Sequence, residues 1–160
     1  MQAQETPGYA GEQNQFLTFT LGGEEYGIDI LKVQEIRGYS AITHIPNAPP
    51  HVKGIINLRG TVVPVVDLRA KFGMNAVDYT KFTVIVVVMV AEKIAGLVVD
   101  AVSDVLNIAA SDVRPAPDFG LRCDTRFMRG VVSVSDKLAV LLDIDRLLND
   151  DETAPASVVN

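Results

Sequence analysis

The chain has 160 residues, about one domain at roughly 100–200 residues each, with 14 Lys and Arg against 20 Asp and Glu and a net charge of −6. Nonspecific nucleic-acid affinity comes largely from clustered Lys and Arg that displace counterions, so this acidic balance argues against nucleic-acid and anionic-membrane partners. A hydrophobic fraction of 48%, conspicuous in valine, with 21% charged residues supplies a packed core and excludes a disordered chain.

Met1–Asn14 is polar, without the basic and apolar regions of a signal peptide, and reads as a flexible tail. Phe16–Leu21 alternates apolar and Thr residues, and Gly22-Gly23 then offers positive-φ positions before Tyr26–Ile28, which predicts a hairpin. Asp29 is placed to cap a short helical turn over Ile30–Val33, after which Val33–Ile36 returns to strand. A Pro-punctuated loop covers Ala41–Pro50. Val52–Leu58 and Thr61–Asp67 flank Arg59-Gly60 as a second hairpin, in which Pro64 points to an edge strand or a bulge. Leu68–Phe72 reads as a short helix stopped by Gly73. Phe82–Val90 and Ile94–Val99 form a third hairpin, and the apolar run Val84–Ala91 is far below the ~18–20 residues of a membrane helix. Ala101–Leu106 is a short helix or a continuing strand, and Pro115-Ala116-Pro117 is extended loop. Gly130–Val134 and Leu138–Leu142 make a last hairpin, Asp143 caps a closing helix over Ile144–Leu148, and 150–160 is a flexible acidic tail.

These pieces recur in order. Gly54 and Gly130 lie 76 residues apart, and the same offset pairs Val63 with Ala139, Val66 with Leu142, Asp67 with Asp143 and Leu68 with Ile144. An offset of 69 pairs Gly27 with Gly96, Val33 with Val102, Glu35 with Asp104 and Ile36 with Val105. A duplication of this kind, with about five short strands in each copy, predicts two small barrels, because closure removes exposed sheet edges.

Catalytic and metal constellations are hard to assemble. The single cysteine, Cys123, allows no internal disulfide, fits a reducing compartment, and has no neighbouring His to act as a base. His44 and His51 are the only histidines, and both read as solvated loop residues without a second ligand at metal-binding spacing. No Gly-rich phosphate loop is present, and Asp143 with Asp145 is accounted for by helix capping. The residues themselves therefore point to a protein-binding surface, with an enzyme or a small-ligand barrel as the alternative. Arg59 at a hairpin tip is a forked donor suited to a partner carboxylate, and Val33, Glu35 and Ile36 put apolar and acidic groups side by side. Plain core packing is the competing reading of Val33 and Ile36.

The segments EEYGIDILKVQEIRG at Glu24–Gly38, GIINLRG at Gly54–Gly60, VPVVDLR at Val63–Arg69, VVDAVSDVL at Val98–Leu106 and RPAPDF at Arg114–Phe119 closely resemble the family of bacterial chemotaxis coupling proteins known as CheW. The resemblance runs from about Phe16 to Asn149. It implies a mainly β fold of two intertwined SH3-like five-stranded β-barrels with a few short helices, and a scaffold without catalytic activity, cofactor or metal. It further implies a cytoplasmic adaptor, largely monomeric alone, that couples the helical-hairpin tips of transmembrane chemoreceptors to the regulatory domain of the histidine kinase CheA. By that resemblance the receptor-binding positions are Val33, Glu35, Ile36, Gly54, Arg59 and Val105, and the kinase-binding positions are Arg114 and Phe119. Val105, the repeat mate of Ile36, is expected to line the same groove, and Gly54 to let a backbone approach closely. A coupling protein of a different receptor array, such as one for surface motility, is a further reading.

Overall fold

The computed structural model describes residues 13–40, 42–75, 77–115 and 125–149. Ten strands are described: β1 Gln13–Leu21, β2 Glu24–Asp29, β3 Val33–Gly38, β4 Val52–Leu58, β5 Thr61–Asp67, β6 Val84–Val90, β7 Lys93–Val99, β8 Ala101–Ala109, β9 Met128–Val134 and β10 Lys137–Leu142. Short helices α1 (Leu68–Lys71) and α2 (Ile144–Asn149) follow β5 and β10. The hairpins fall where the turn residues place them. β1 starts at Gln13, so Gln13 and Asn14 pair with Ala109 and Ile108 and do not belong to a tail. Ala101–Leu106 continues as strand β8 and is not helical.

The strands form two five-stranded sheets, β9-β10-β2-β1-β8 and β4-β5-β7-β6-β3. The sheets match strand for strand once the repeat offset is applied, yet each draws on both repeats. Barrel 1 takes β1 and β2 from the first repeat and β8, β9 and β10 from the second, while barrel 2 is the continuous run β3–β7. The two repeats are joined by parallel pairs, Leu141 beside Gly27 in barrel 1 and Val65 beside Gly96 in barrel 2. A single bridge closes each sheet into a barrel. Thr43, beyond β3, exchanges backbone hydrogen bonds of 2.9 and 2.8 Å with Ile55 of β4, and Arg114, beyond β8, does the same with Val131 of β9 at 2.9 and 2.8 Å.

Of the two alternatives for Pro64 the edge-strand expectation is corrected, because β5 is an interior strand hydrogen-bonded to β4 and β7, whereas the β4–β5 ladder does carry a bulge beside it, between Val52 and Gly54. The proline is tolerated because the parallel pairing to β7 begins only at Val65, so its missing N–H removes no bond of that ladder. His51 corrects another: it is only 6% exposed and is not a solvated loop residue, and its carbonyl accepts from the Asp67 N–H at 2.8 Å.

The valine-rich β6 is apolar on both faces because both are buried. Val86, Val88 and Val90 join Leu17, Phe19, Tyr26, Leu97 and Leu147 in a core shared by the two barrels. Ile85 and Val87 face the interior of barrel 2 with Ile56, Val63 and Val98. Phe16, Ile108, Val132 and Leu141 fill barrel 1. Burial of this kind gives about 25 cal/mol per Å² of apolar surface and is the main force holding the two barrels against each other.

Candidate interaction site on barrel 2

β3 alternates half-buried and exposed residues, which leaves Ile36 45% exposed while Glu35 and Arg37 lie lower on the surface. A bulge between Val33 and Glu35 interrupts the pairing with β6, and β8 repeats it against β1 between Val102 and Asp104. At the β4–β5 tip, Arg59 (φ 51°) and Gly60 (φ 87°) form the turn, and the Asn57 side chain accepts from the Gly60 N–H at 2.8 Å. From this tip the Arg59 Nη2 donates to Glu35 Oε1 at 2.7 Å, while Arg37 Nη1 donates to Glu35 Oε2 at 3.2 Å. The Arg59 hydrogen bond is the largest cause holding the Glu35 carboxyl below its ordinary value; Arg37 adds to it and partial burial opposes. Arg59 thus remains 72% exposed in its side chain while its guanidinium is oriented by Glu35.

Glu35, Ile36 and Arg59 stand together on barrel 2. Val33 packs in part against the shared core, as its repeat mate Val102 does, so the core reading holds for it in part. Val105 is 44% exposed, but it lies on β8 of barrel 1, paired with Leu17 as Ile36 is paired with Val86. Ile36 and Val105 therefore occupy matching places on separate barrels. Gly54 is buried, with φ 150°, and the backbone that approaches it is the chain's own: the Thr43 carbonyl occupies the place of a Cβ. Its mate Gly130 meets the Arg114 carbonyl in the same way, so both glycines serve barrel closure. Arg114 is exposed and anchored through its backbone to β9. Phe119 and Cys123 lie outside the described residues.

Two clusters escaped sequence reasoning. Tyr79 donates to Asp67 Oδ2 at 2.8 Å and packs on Tyr39 with ring centroids 4.2 Å apart; burial, then the Asp67 contact, pushes its phenol up. Arg69 pairs with Asp100 through two hydrogen bonds of 2.8 and 2.7 Å, although 31 residues separate them. Asp67 is the repeat mate of the capping Asp143, and in the structure its Oδ1 caps α1 by accepting from the Arg69 N–H at 2.9 Å, whereas nothing in the local pattern marks Asp100. Among the described residues, no group of three or more His, Cys, Asp or Glu side chains is arranged to hold a metal, and no helix is long and apolar enough to cross a membrane.

The family profile of the CheW-like domain matches residues 15–152. The chain is 48% identical over 147 residues to the chemotaxis protein CheW of Klebsiella aerogenes, covering 91% of this chain and 89% of that protein. It is 38% identical over 142 residues to CheW of Rhizobium meliloti, covering 89% and 92%. Among solved structures, the scaffolding protein TtCheW of Thermoanaerobacter tengcongensis superposes with a TM-score of 0.80 at 34% identity, covering 88% of this chain and 95% of that one. With its two five-stranded barrels and this similarity over most of its length, the chain belongs to the CheW-like family of chemotaxis scaffolding and coupling proteins, which are not enzymes.

Proposed function

We propose that this scaffold couples transmembrane chemoreceptors to the histidine kinase CheA, working in the cytoplasm within receptor arrays. The receptor surface comprises Val33, Glu35, Ile36, Arg59 and Val105, with buried Gly54 supporting it from behind. The kinase regulatory domain docks through Arg114, whose backbone closes barrel 1, and through Phe119. The observation that supports this best is the Glu35–Arg59 pair at 2.7 Å beside exposed Ile36: a forked cation on a rigid turn, oriented before any partner arrives.

The receptor tip, a helical hairpin, lays an apolar stripe on Ile36 and Val105, and Arg59 fixes its orientation through a carboxylate. Gly54 contributes indirectly by allowing barrel 2 to close behind β4. Each binary contact can be weak, since an array that holds many copies raises the effective concentration of every partner. Receptor state then shifts the active fraction of the kinase, which is a coupling free energy between two sites.

Calorimetric titration of the chain with the isolated regulatory domain of its cognate CheA tests the reading. Saturable binding, weakened by Arg114→Asp or Phe119→Ser, is the expected result. No heat at high micromolar concentration, from two folded partners in buffers of different ionisation enthalpy, would overturn it.

A further inference from the structure

The chain crosses between the barrels twice, from β2 to β3 and from β7 to β8, and the polar ties at the two crossings are unequal. The second crossing is a single residue, Asp100. Arg69 of α1 grips its carboxylate as a fork, Nε to Oδ1 at 2.8 Å and Nη2 to Oδ2 at 2.7 Å. The Gly22 N–H donates to the same Oδ2 at 2.9 Å, and the Asp100 N–H donates to the Thr20 carbonyl at 3.1 Å. Arg69 is itself held by a bond to the Asn75 carbonyl at 3.0 Å, and Met74 fills the place a Cβ on Gly22 would take. Since α1 follows β5 of barrel 2 and Gly22 turns β1 into β2 of barrel 1, one carboxylate fastens the two barrels together.

The first crossing, Ile30–Lys32, has no such latch among the described residues. Its tie to α2 is a 3.5 Å contact between Lys32 and Asp145, whose side chains are 34% and 54% exposed. The exposed bond from Lys93 to Asn149 at 2.7 Å is a further polar tie from α2 to the opposite barrel. Exposed single contacts of this type restrain little.

We propose that Arg69 and Asp100 are positioning residues that set the angle between the barrels and so align a receptor surface divided between them. The inference rests on the receptor-coupling reading above, in which Glu35, Ile36 and Arg59 sit on barrel 2 and Val105 on barrel 1. The shared apolar core resists separation but is not directional, whereas a bidentate Arg–carboxylate pair is. A loosened latch populates several inter-barrel angles, and affinity for a ligand that spans both barrels falls by the fraction still competent. A partner that docks on one barrel alone loses nothing.

The test uses the full chain with Cys123→Ser and spin labels at Val62→Cys on barrel 2 and Leu138→Cys on barrel 1, both exposed and 76 residues apart in the repeat. Arg69→Lys keeps the charge but loses the fork, Asp100→Asn keeps the acceptor for Gly22 but loses the charge, and Arg69→Ala loses both. The expected result is a narrow distance distribution in the parent that broadens in the order Lys and Asn first, Ala most. In unlabelled proteins, affinity for a receptor-tip hairpin is expected to fall about five-fold or more in Arg69→Ala, while affinity for the kinase regulatory domain stays within about two-fold. Unchanged distances in all three variants overturn the inference, as does a parallel fall in both affinities, which marks general loss of structure. Failure of the parent to bind the receptor tip instead overturns the proposed function, and the distances still decide whether the latch sets the angle.

Discussion

Gly54→Ala separates a residue that touches a partner from one that shapes the barrel. A methyl group at position 54 collides with the Thr43 carbonyl and comes within 2.8 Å of Ile42 Cγ2, and the φ of 150° is itself one that side chains rarely adopt. The Thr43 carbonyl is backbone in a closed barrel and cannot swing aside, so it has to leave, taking with it the two hydrogen bonds to Ile55. Two such bonds contribute about 1 kcal/mol each net, and the strained φ adds about 1 kcal/mol. The total is about 3 kcal/mol, or a fall of about 6–12 °C in Tm for a chain of this size. Urea and thermal unfolding give the magnitude, and amide hydrogen exchange gives the location: Thr43 and Ile55 should lose protection ahead of the β6–β7 hairpin. Gly38→Ala is the control, since nothing lies within 4 Å of its Cβ, and it should leave Tm unchanged. A Gly54→Ala protein that melts within about 2 °C of the parent with both amides protected would refute the argument and return Gly54 to the partner-contact class.

Arg59→Ala should do the reverse. Its side chain is largely in solvent, so Tm should move by no more than about 2 °C, while receptor-tip affinity falls about ten-fold, as for a lost charge-assisted contact; titration and a melting curve on the same sample check both. For acid stability the relevant group is Asp100. Burial, the largest influence, pushes its carboxyl up, but the Arg69 hydrogen bonds, the Gly22 N–H and the Arg69 charge together hold it below the ordinary 3.8. A depressed folded value means the latch contributes fully above the ordinary carboxylate value and is lost as pH falls through the lower folded one. Arg69→Ala should therefore raise the midpoint of acid unfolding followed by circular dichroism, and should cost about 1–2 kcal/mol near neutrality once solvent screening is allowed for. An unchanged acid midpoint would mean that the carboxylate is not linked to folding.

The hairpins were legible because each combines alternating apolar residues with a turn that needs positive φ, as at Gly22-Gly23 and Arg59-Gly60. The duplication was legible from paired glycines, but which strands would hydrogen-bond was not. An offset relates equivalent positions and carries no information on partners; the intertwining came from the family resemblance, and the sharing of each barrel between the two copies agrees with it. For Pro64 the bulge was a local expectation and is present beside it, but the edge reading failed because the place where β7 begins to pair is not a local property. For the site, the family motifs group Glu35, Ile36 and Arg59, and of these Glu35 and Arg59 are joined by a hydrogen bond across 24 residues while Ile36 is exposed on the same strand as Glu35. The importance of Gly54 was readable, but its cause was not, because Thr43 approaches from 11 residues earlier across a Pro-rich loop whose path the sequence leaves open.

The exchange of strands bears directly on how a scaffold of this kind transmits a signal. Two barrels joined by one linker would have each face free to turn relative to the other, as adjoining domains usually do. Here barrel 2 is inserted whole between β2 and β8, so both of its ends are anchored in barrel 1: β1 pairs with β8, and β2 with β10. Two anchored crossings forbid free rotation but still allow a hinge about the line that joins them, and fixing one crossing with a directional latch removes most of that freedom. The latch stands at the Asp100 crossing, and the Lys32 crossing, which leads directly into β3 and its Glu35 and Ile36, is the looser one. Whatever residual motion the molecule has is thus concentrated beside the proposed receptor surface, where a difference between receptor states has the shortest path to the angle between the barrels.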